Sequence, residues 1–136
     1  MKRVFKVVRE QRGGYWSFNR GFGPRDETEE MPIRKRYPVG VNVKPDYGFL
    51  YAFDLKENAV KFVNQYAPPL GVNYVVFTAD AVTTRRTPFI YGLIKSYPLH
   101  DVWQRLLLQQ FNNWEPAPKG TILCRSIKIL EPIYTI

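Results

Sequence analysis

The chain has one cysteine and one histidine among its 136 residues. A lone Cys124 excludes an internal disulfide and fits a reducing compartment. A zinc site built from Cys and His needs more ligands than two, so no metal and no cofactor is expected. The only Cys–His dyad available is Cys124 with His100. Cys124 ends the short apolar run 122–124, where a buried, inert thiol is the common outcome. His100 stands beside Asp101 at the expected start of a helix and reads as solvated. Long apolar runs are also missing: none approaches the roughly 18–20 residues of a membrane span. The first six residues interrupt their apolar positions with Lys2, Arg3 and Lys6, unlike a signal peptide. The expectation is a cytoplasmic protein with no membrane partner.

Acidic residues are scarce: 12 Asp and Glu oppose 20 Lys and Arg, for a net charge of +8. The excess is uneven. Residues 1–44 hold 11 Lys/Arg against 5 Asp/Glu, and the other 92 hold 9 against 7. A basic face in the first third follows, rather than evenly spread solubilising charge. Phosphate loops are absent as well. Gly13 with Gly14, and Gly21 with Gly23, lack the Lys-Ser/Thr and helix that such a loop needs.

What is present is mostly structural. With 45% hydrophobic and 24% charged residues, 1–136 reads as one domain able to bury a core. Residues 37–66 carry the clearest pattern: strand, Gly/Pro turn at 45–48, aromatic strand at 49–53, then helix. Asp54 is a good N-cap residue with Glu57 three positions on, a variant of the capping box. Leu55, Ala59, Phe62, Val63 and Tyr66 recur at helical spacing, and Pro68 and Pro69 forbid continuation.

Upstream, 3–10 and 15–18 read as a hairpin joined by the turn 11–14. A long exposed loop at 19–33 is expected to be mobile, and 34–43 reads as a strand with Pro38 at an edge. Downstream, 72–79 reads as a central strand, and 89–94 as a short strand or irregular connection. A second helix is expected over 100–113, with Val102, Trp103, Leu106, Leu107 and Phe111 as its stripe. The closing strand 121–130 changes phase near Arg125 and Ser126, which predicts a bulge. Pro132 should then leave the end at a sheet edge or free. Several strands precede the first helix, so the fold class expected is α+β: a single domain with a mostly antiparallel curved sheet and two packed helices.

Arg34, Lys35 and Arg36 lead into one strand, and Arg85 and Arg86 lie in a polar interruption. Together with Lys2, Arg3, Lys6, Arg9 and Arg12 they offer a phosphate-contacting surface. Tyr15, Trp16 and Phe18 offer rings for unpaired bases. The alternative is that the rings are core and the charges a solvated face. The acidic run at 26–30 could screen that basic surface, present charge to a basic partner, or simply be solvated. Tyr37, Asp80, Arg85 and Glu115 are the polar residues an enzyme could draw on, but no spacing ties them together, and no catalytic residue is assigned.

The layout resembles a group of small uncharacterised bacteriophage and viral proteins. The matching pieces are Tyr37 to Gly40, Pro45 to Gly48, Phe49 to Phe53, Ala59 to Phe62, Pro118 to Thr121 and Ile127 to Leu130. The resemblance covers the middle and end of the chain and implies a viral or phage origin. It supplies no active site. The leading expectation is therefore an accessory protein in the host cytoplasm that binds a host or viral protein. Nucleic acid is the alternative partner, and an unrecognised enzyme comes third.

Overall fold

The computed structural model describes residues 1–18, 35–45, 49–85, 89–91, 114–116 and 118–136. Its elements in order are β1 (Lys2–Gln11), β2 (Gly14–Ser17), β3 (Asn42–Val43), β4 (Leu50–Phe53), α1 (Lys56–Val63), β5 (Asn73–Thr83), β6 (Phe89–Tyr91), β7 (Trp114–Pro116) and β8 (Thr121–Thr135). Every strand pair is antiparallel. As the pattern at 72–79 predicts, β5 is central, flanked by β1 and β8. On its other edge β1 pairs with β2 and, at Phe5, with Phe53 of β4. Because β4 also pairs with β8, the pairings β1–β5–β8–β4–β1 close into a small barrel. β3 adds to β8, while β6 and β7 form a separate two-stranded ladder.

Alternation along the strands makes two cores from one sheet. Val4 and Val8 of β1, Val75, Phe77, Ala79 and Ala81 of β5, and Ile127 and Ile129 of β8 fill the interior. Their neighbours Val7, Tyr74 and Val76 face outward and pack under α1 with Ala59 and Val63. This arrangement overturns the expected α+β fold with two packed helices. The described chain is mostly antiparallel sheet, and α1 is its only helix. The physical reason lies in the closure. A sheet folded on itself buries its inner face without helices, so eight residues of helix suffice for the outer apolar patch. The second helix expected over 100–113 lies outside the described residues.

The hairpin matches its sequence signal. Arg12 and Gly13 have φ of 50° and 74°, the two-residue turn whose twist suits a hairpin. The 34–43 reading is corrected. Arg36 makes one bridge to Trp16, a turn follows at Val39 and Gly40, and only Asn42 and Val43 pair with β8. Pro38 has no N–H for a ladder, and Gly40 takes φ of 77°, which ends extended structure.

The capping box is corrected too. Leu55 occupies the N-cap with no side-chain cap bond. Asp54 instead accepts from Asn58 Nδ2 at 3.1 Å, and its backbone N–H donates to Gly120 O at 2.9 Å. The Asp54–Asn58 pair lies against Gly120, where a Cβ would overlap both side chains; Gly120 itself has φ of 83°. Leu55, placed on the buried stripe by periodicity, is 48% exposed. The helix also ends before the prolines, through turn-type bonds from Gln65 and Tyr66 to Phe62 and Val63.

The bulge at Arg125 is as the sequence predicts. Val82 pairs with Ser126 and Thr83 with Cys124, so Arg125 is the extra residue. The end of the chain is not at a free edge, however. β8 runs through Pro132 to Thr135, and Tyr74 and Ile136 exchange backbone bonds of 3.0 and 2.9 Å. Register shifts on both sides of Phe77, the partner of Pro132, absorb the missing N–H.

Candidate nucleic-acid interface

The register decides which sequence-predicted residues meet. In β2, Tyr15 points inward, packing edge-on against Phe77 at 4.8 Å, and its phenol is pushed up by desolvation and then by neighbouring Glu10. Tyr15 is therefore packed, partly buried, against the core and is not offered as a stacking ring. Trp16, one position on, faces out between Arg9 of β1 and Arg36 across the isolated bridge. The Arg36 guanidinium lies over the Trp16 ring at 5.7 Å, a cation–π contact. Lys35 is locked beside them: Lys35 N–H donates to Ser17 Oγ at 2.8 Å, and Ser17 N–H to Lys35 O at 2.8 Å. Phe18 instead joins the patch under α1 with Phe62, Tyr66 and Tyr74.

Gly14 gives this cluster its shape. A Cβ there would lie 3.2 Å from Trp16 Nε1, 3.6 Å from Arg36 Nε and 3.7 Å from Arg36 Nη2. Trp16 and Arg36 thus close over buried Gly14 and leave little room for a side chain there. Neither Trp16 nor Arg36 makes a side-chain hydrogen bond or ion pair among the described residues.

Arg85 lies elsewhere. It is exposed just past β5, near the end of β1 that pairs Lys2 with Ala81. Trp16 lies opposite Arg9, at the other end of β1. A second group gathers by register at the Arg85 end: Arg3, Asp80, Lys128 and Asn42 are successive cross-strand partners over β1, β5, β8 and β3. Arg3 Nε pairs with Asp80 Oδ1 at 3.1 Å, an exposed bridge worth little by itself. The Arg125 bulge, with its guanidinium 5.8 Å above Phe49, extends this group. Six residues of β1 separate the two groups, roughly 20 Å. The single surface read from sequence is two. Arg34 and Arg86 lie outside the described residues, as do the 19–33 loop and His100. Arg125 and Lys128 were legible only as part of the closing strand.

Two cations assigned to the surface are not on it. Lys6 and Arg9 are 6% and 8% exposed. Lys6 lies between inward-facing Val4 and Val8, donates to Tyr51 O at 2.6 Å and rests 4.8 Å from the Tyr37 ring centre. Burial lowers its amine from 10.5 to about 8, with a smaller opposing effect of Cys124. Cys124, buried as expected, is raised to about 11 by desolvation, which Lys6 and Lys2 only partly offset, so its thiol is a poor nucleophile. Burial also raises the phenol of Tyr37 far above its ordinary range, against a smaller effect of Ser17. The buried Tyr37 hydroxyl has no hydrogen-bond partner.

Among the described residues no group of three or more His, Cys, Asp or Glu could hold a metal. No described helix is long and apolar enough to cross a membrane. Tyr37, Asp80 and Arg85 do not share a site: Tyr37 is interior, Asp80 is outward on β5 and Arg85 lies beyond it. No protein-family model, no curated protein and no solved structure matches the chain.

Proposed function

We propose that this protein is a nucleic-acid-binding module in a cytoplasmic setting. The observation that supports this most is the outward Trp16–Arg36 pair, a half-buried indole with an exposed guanidinium over its ring. A net charge of +8 supplies the sequence-independent attraction to phosphates. Binding of oligonucleotides, followed by a mobility shift at increasing salt, should weaken steeply. Changing Lys35 and Arg36 together to Ala should flatten the log–log salt slope by about one to two. Absence of a shift even at low salt sinks this reading.

A second reading keeps the expectation of a small viral or phage accessory protein acting on a host or viral protein. It draws on Val39 and Val41, which are 51% and 49% exposed beside β3 at the end of the sheet. For this reading, Val39→Asp with Val41→Asp should abolish co-purification of a defined partner while leaving oligonucleotide binding intact. Unchanged co-purification removes it.

A further inference from the structure

β1 changes partners along one edge. Phe5 pairs with Phe53 of β4, and pairing with β2 starts only at Val8. Between them, Lys6 and Val7 have no strand beside them on that edge among the described residues, although β5 pairs with both on the other. The barrel is thus unevenly joined. β1 and β5 pair from Lys2 to Glu10, and β4 and β8 from Leu50 to Phe53, but β1 and β4 pair at Phe5 alone. Closure at this last joint relies on side chains.

A cation fills the gap from inside. Lys6 Nζ crosses it to Tyr51 O at 2.6 Å, with the Tyr37 ring centre 4.8 Å away. An ammonium has three donors, and that bond is the one Lys6 makes among the described residues. No described carboxylate offsets the charge. Lys6 faces Tyr51 from β4, Tyr37 from the 35–37 segment and Cys124 from β8. β5 supplies Phe77, on which Tyr15 of β2 packs. Lys2 and Glu10 share its side of β1 by alternation, but Glu10 accepts from Asn73 Nδ2 at 2.8 Å. Burial without a counter-charge disfavours the charged amine and lowers it from 10.5 to about 8. A rearrangement that lets water reach Lys6 restores its ordinary hold on the proton.

We propose that this gap is a side opening of the barrel. There β4 parts from β1 while β1, β5 and β8 stay paired, and the Lys6 charge, regaining water, favours the open form. Opening uncovers Cys124, which lies beside Leu50 of β4 and is wholly buried in the closed form. The open form binds the Lys6 proton more tightly, so the bias is complete below pH 8 and fades as pH rises from 8 to 10.5.

Cys124, the lone thiol, reports the opening in the full chain. Its labelling by a small neutral thiosulfonate is measured at low urea between pH 6 and 8.5, relative to the urea-unfolded chain at the same pH. Labelling should exceed what global unfolding allows by at least about tenfold, with less than about half the urea slope of unfolding, since little surface is exposed. The opening equilibrium should rise about fourfold from pH 8.5 to 6. Lys6→Met, which keeps the length and removes the charge, should slow labelling about five- to thirtyfold at pH 7 and flatten its pH dependence. Amide exchange in the β1–β5 ladder should stay at the global level. Labelling that follows global unfolding with its full urea slope overturns the inference, as does Lys6→Met labelling at the wild-type rate. Should Lys6→Met fold poorly, the wild-type urea slope and β1–β5 exchange decide the matter by themselves.

Discussion

Lys6 is a buried cation held at a cost. A cation inside a barrel of Val, Ile, Phe and Ala has exchanged water for one carbonyl and one ring face. With its amine lowered from 10.5 to about 8, keeping the charge inside at neutral pH costs on the order of 3 kcal/mol. The unfolded chain binds the proton more tightly, so the penalty is complete below pH 8 and is released as pH rises from 8 towards 10.5. Cys124 works in the opposite sense. Its folded value is raised from 9.0 to about 11, so its contribution is present below 9 and lost between 9 and 11. Lys6→Met should therefore stabilise the protein by about 1–2 kcal/mol at pH 7, the gain being trimmed by the orphaned Tyr51 carbonyl. By pH 10 the variant should be no more stable than wild type, since comparing the two cancels most of the Cys124 effect. Urea unfolding of both proteins from pH 6 to 10 measures this. A pH-independent difference would contradict the assignment of a buried charged amine.

At the scale of elements, α1 is held by packing and not by its cap. Only one face matters: Phe62 meets Phe18, Phe53 and Tyr66 at centroid distances of 5.1–5.3 Å, whereas Leu55 is largely in water. Phe62→Ala should cost about 2–3 kcal/mol, somewhat below a fully buried phenylalanine. Leu55→Ser should be neutral or slightly stabilising, because serine is the better N-cap. Thermal melts of the two variants check the contrast, and equal losses would mean the helix seat is misassigned. The helical stripe was legible in the sequence through Ala59, Phe62, Val63 and Tyr66. The cap was not, because the Asp54 carboxylate accepts from Asn58 instead, and the pair is seated against Gly120, whose O also takes the Asp54 N–H from 66 residues away. Local spacing cannot register such competition.

At the scale of the whole molecule, closure depends on β8, which pairs with β3, β4 and β5 along its length. Its last turn of pairing, beyond Pro132, adds Ile133, Tyr134 and Ile136 to the patch under α1. Tyr134 Oη also reaches Asn64 Oδ1 at 2.7 Å, tying the strand to the helix C-terminus. Removing 133–136 should cost at least about 3 kcal/mol, since it exposes Tyr74, Val76 and Val63 together. Loss of a single cooperative unfolding transition in circular dichroism is the expected result; an unchanged midpoint would show that the barrel closes without its end.

Several features follow from the amino-acid sequence alone. Periodicity marks β1, β5, β8 and, Leu55 apart, the buried face of α1, because apolar residues at period 2 or 3.6 fall on one side of a strand or helix. The turn 11–14 announces a hairpin, the phase change near Arg125 and Ser126 announces a bulge, and the uneven charge announces a basic face. Tertiary structure decided the rest. Whether alternating strands form an open sheet under two helices or a ring that buries its own face depends on which edges meet, and edge pairing is a long-range choice. The same choice assigned each cation. Lys6 and Arg9 are as charged in sequence as Arg3 and Arg36, yet the parity of β1 and the neighbours supplied by β4 and β2 place the first pair in the interior or under cover. It also joined Trp16 to Arg36 across a bridge and carried Arg85 to the far end of the barrel, dividing the single basic surface expected from sequence into two groups.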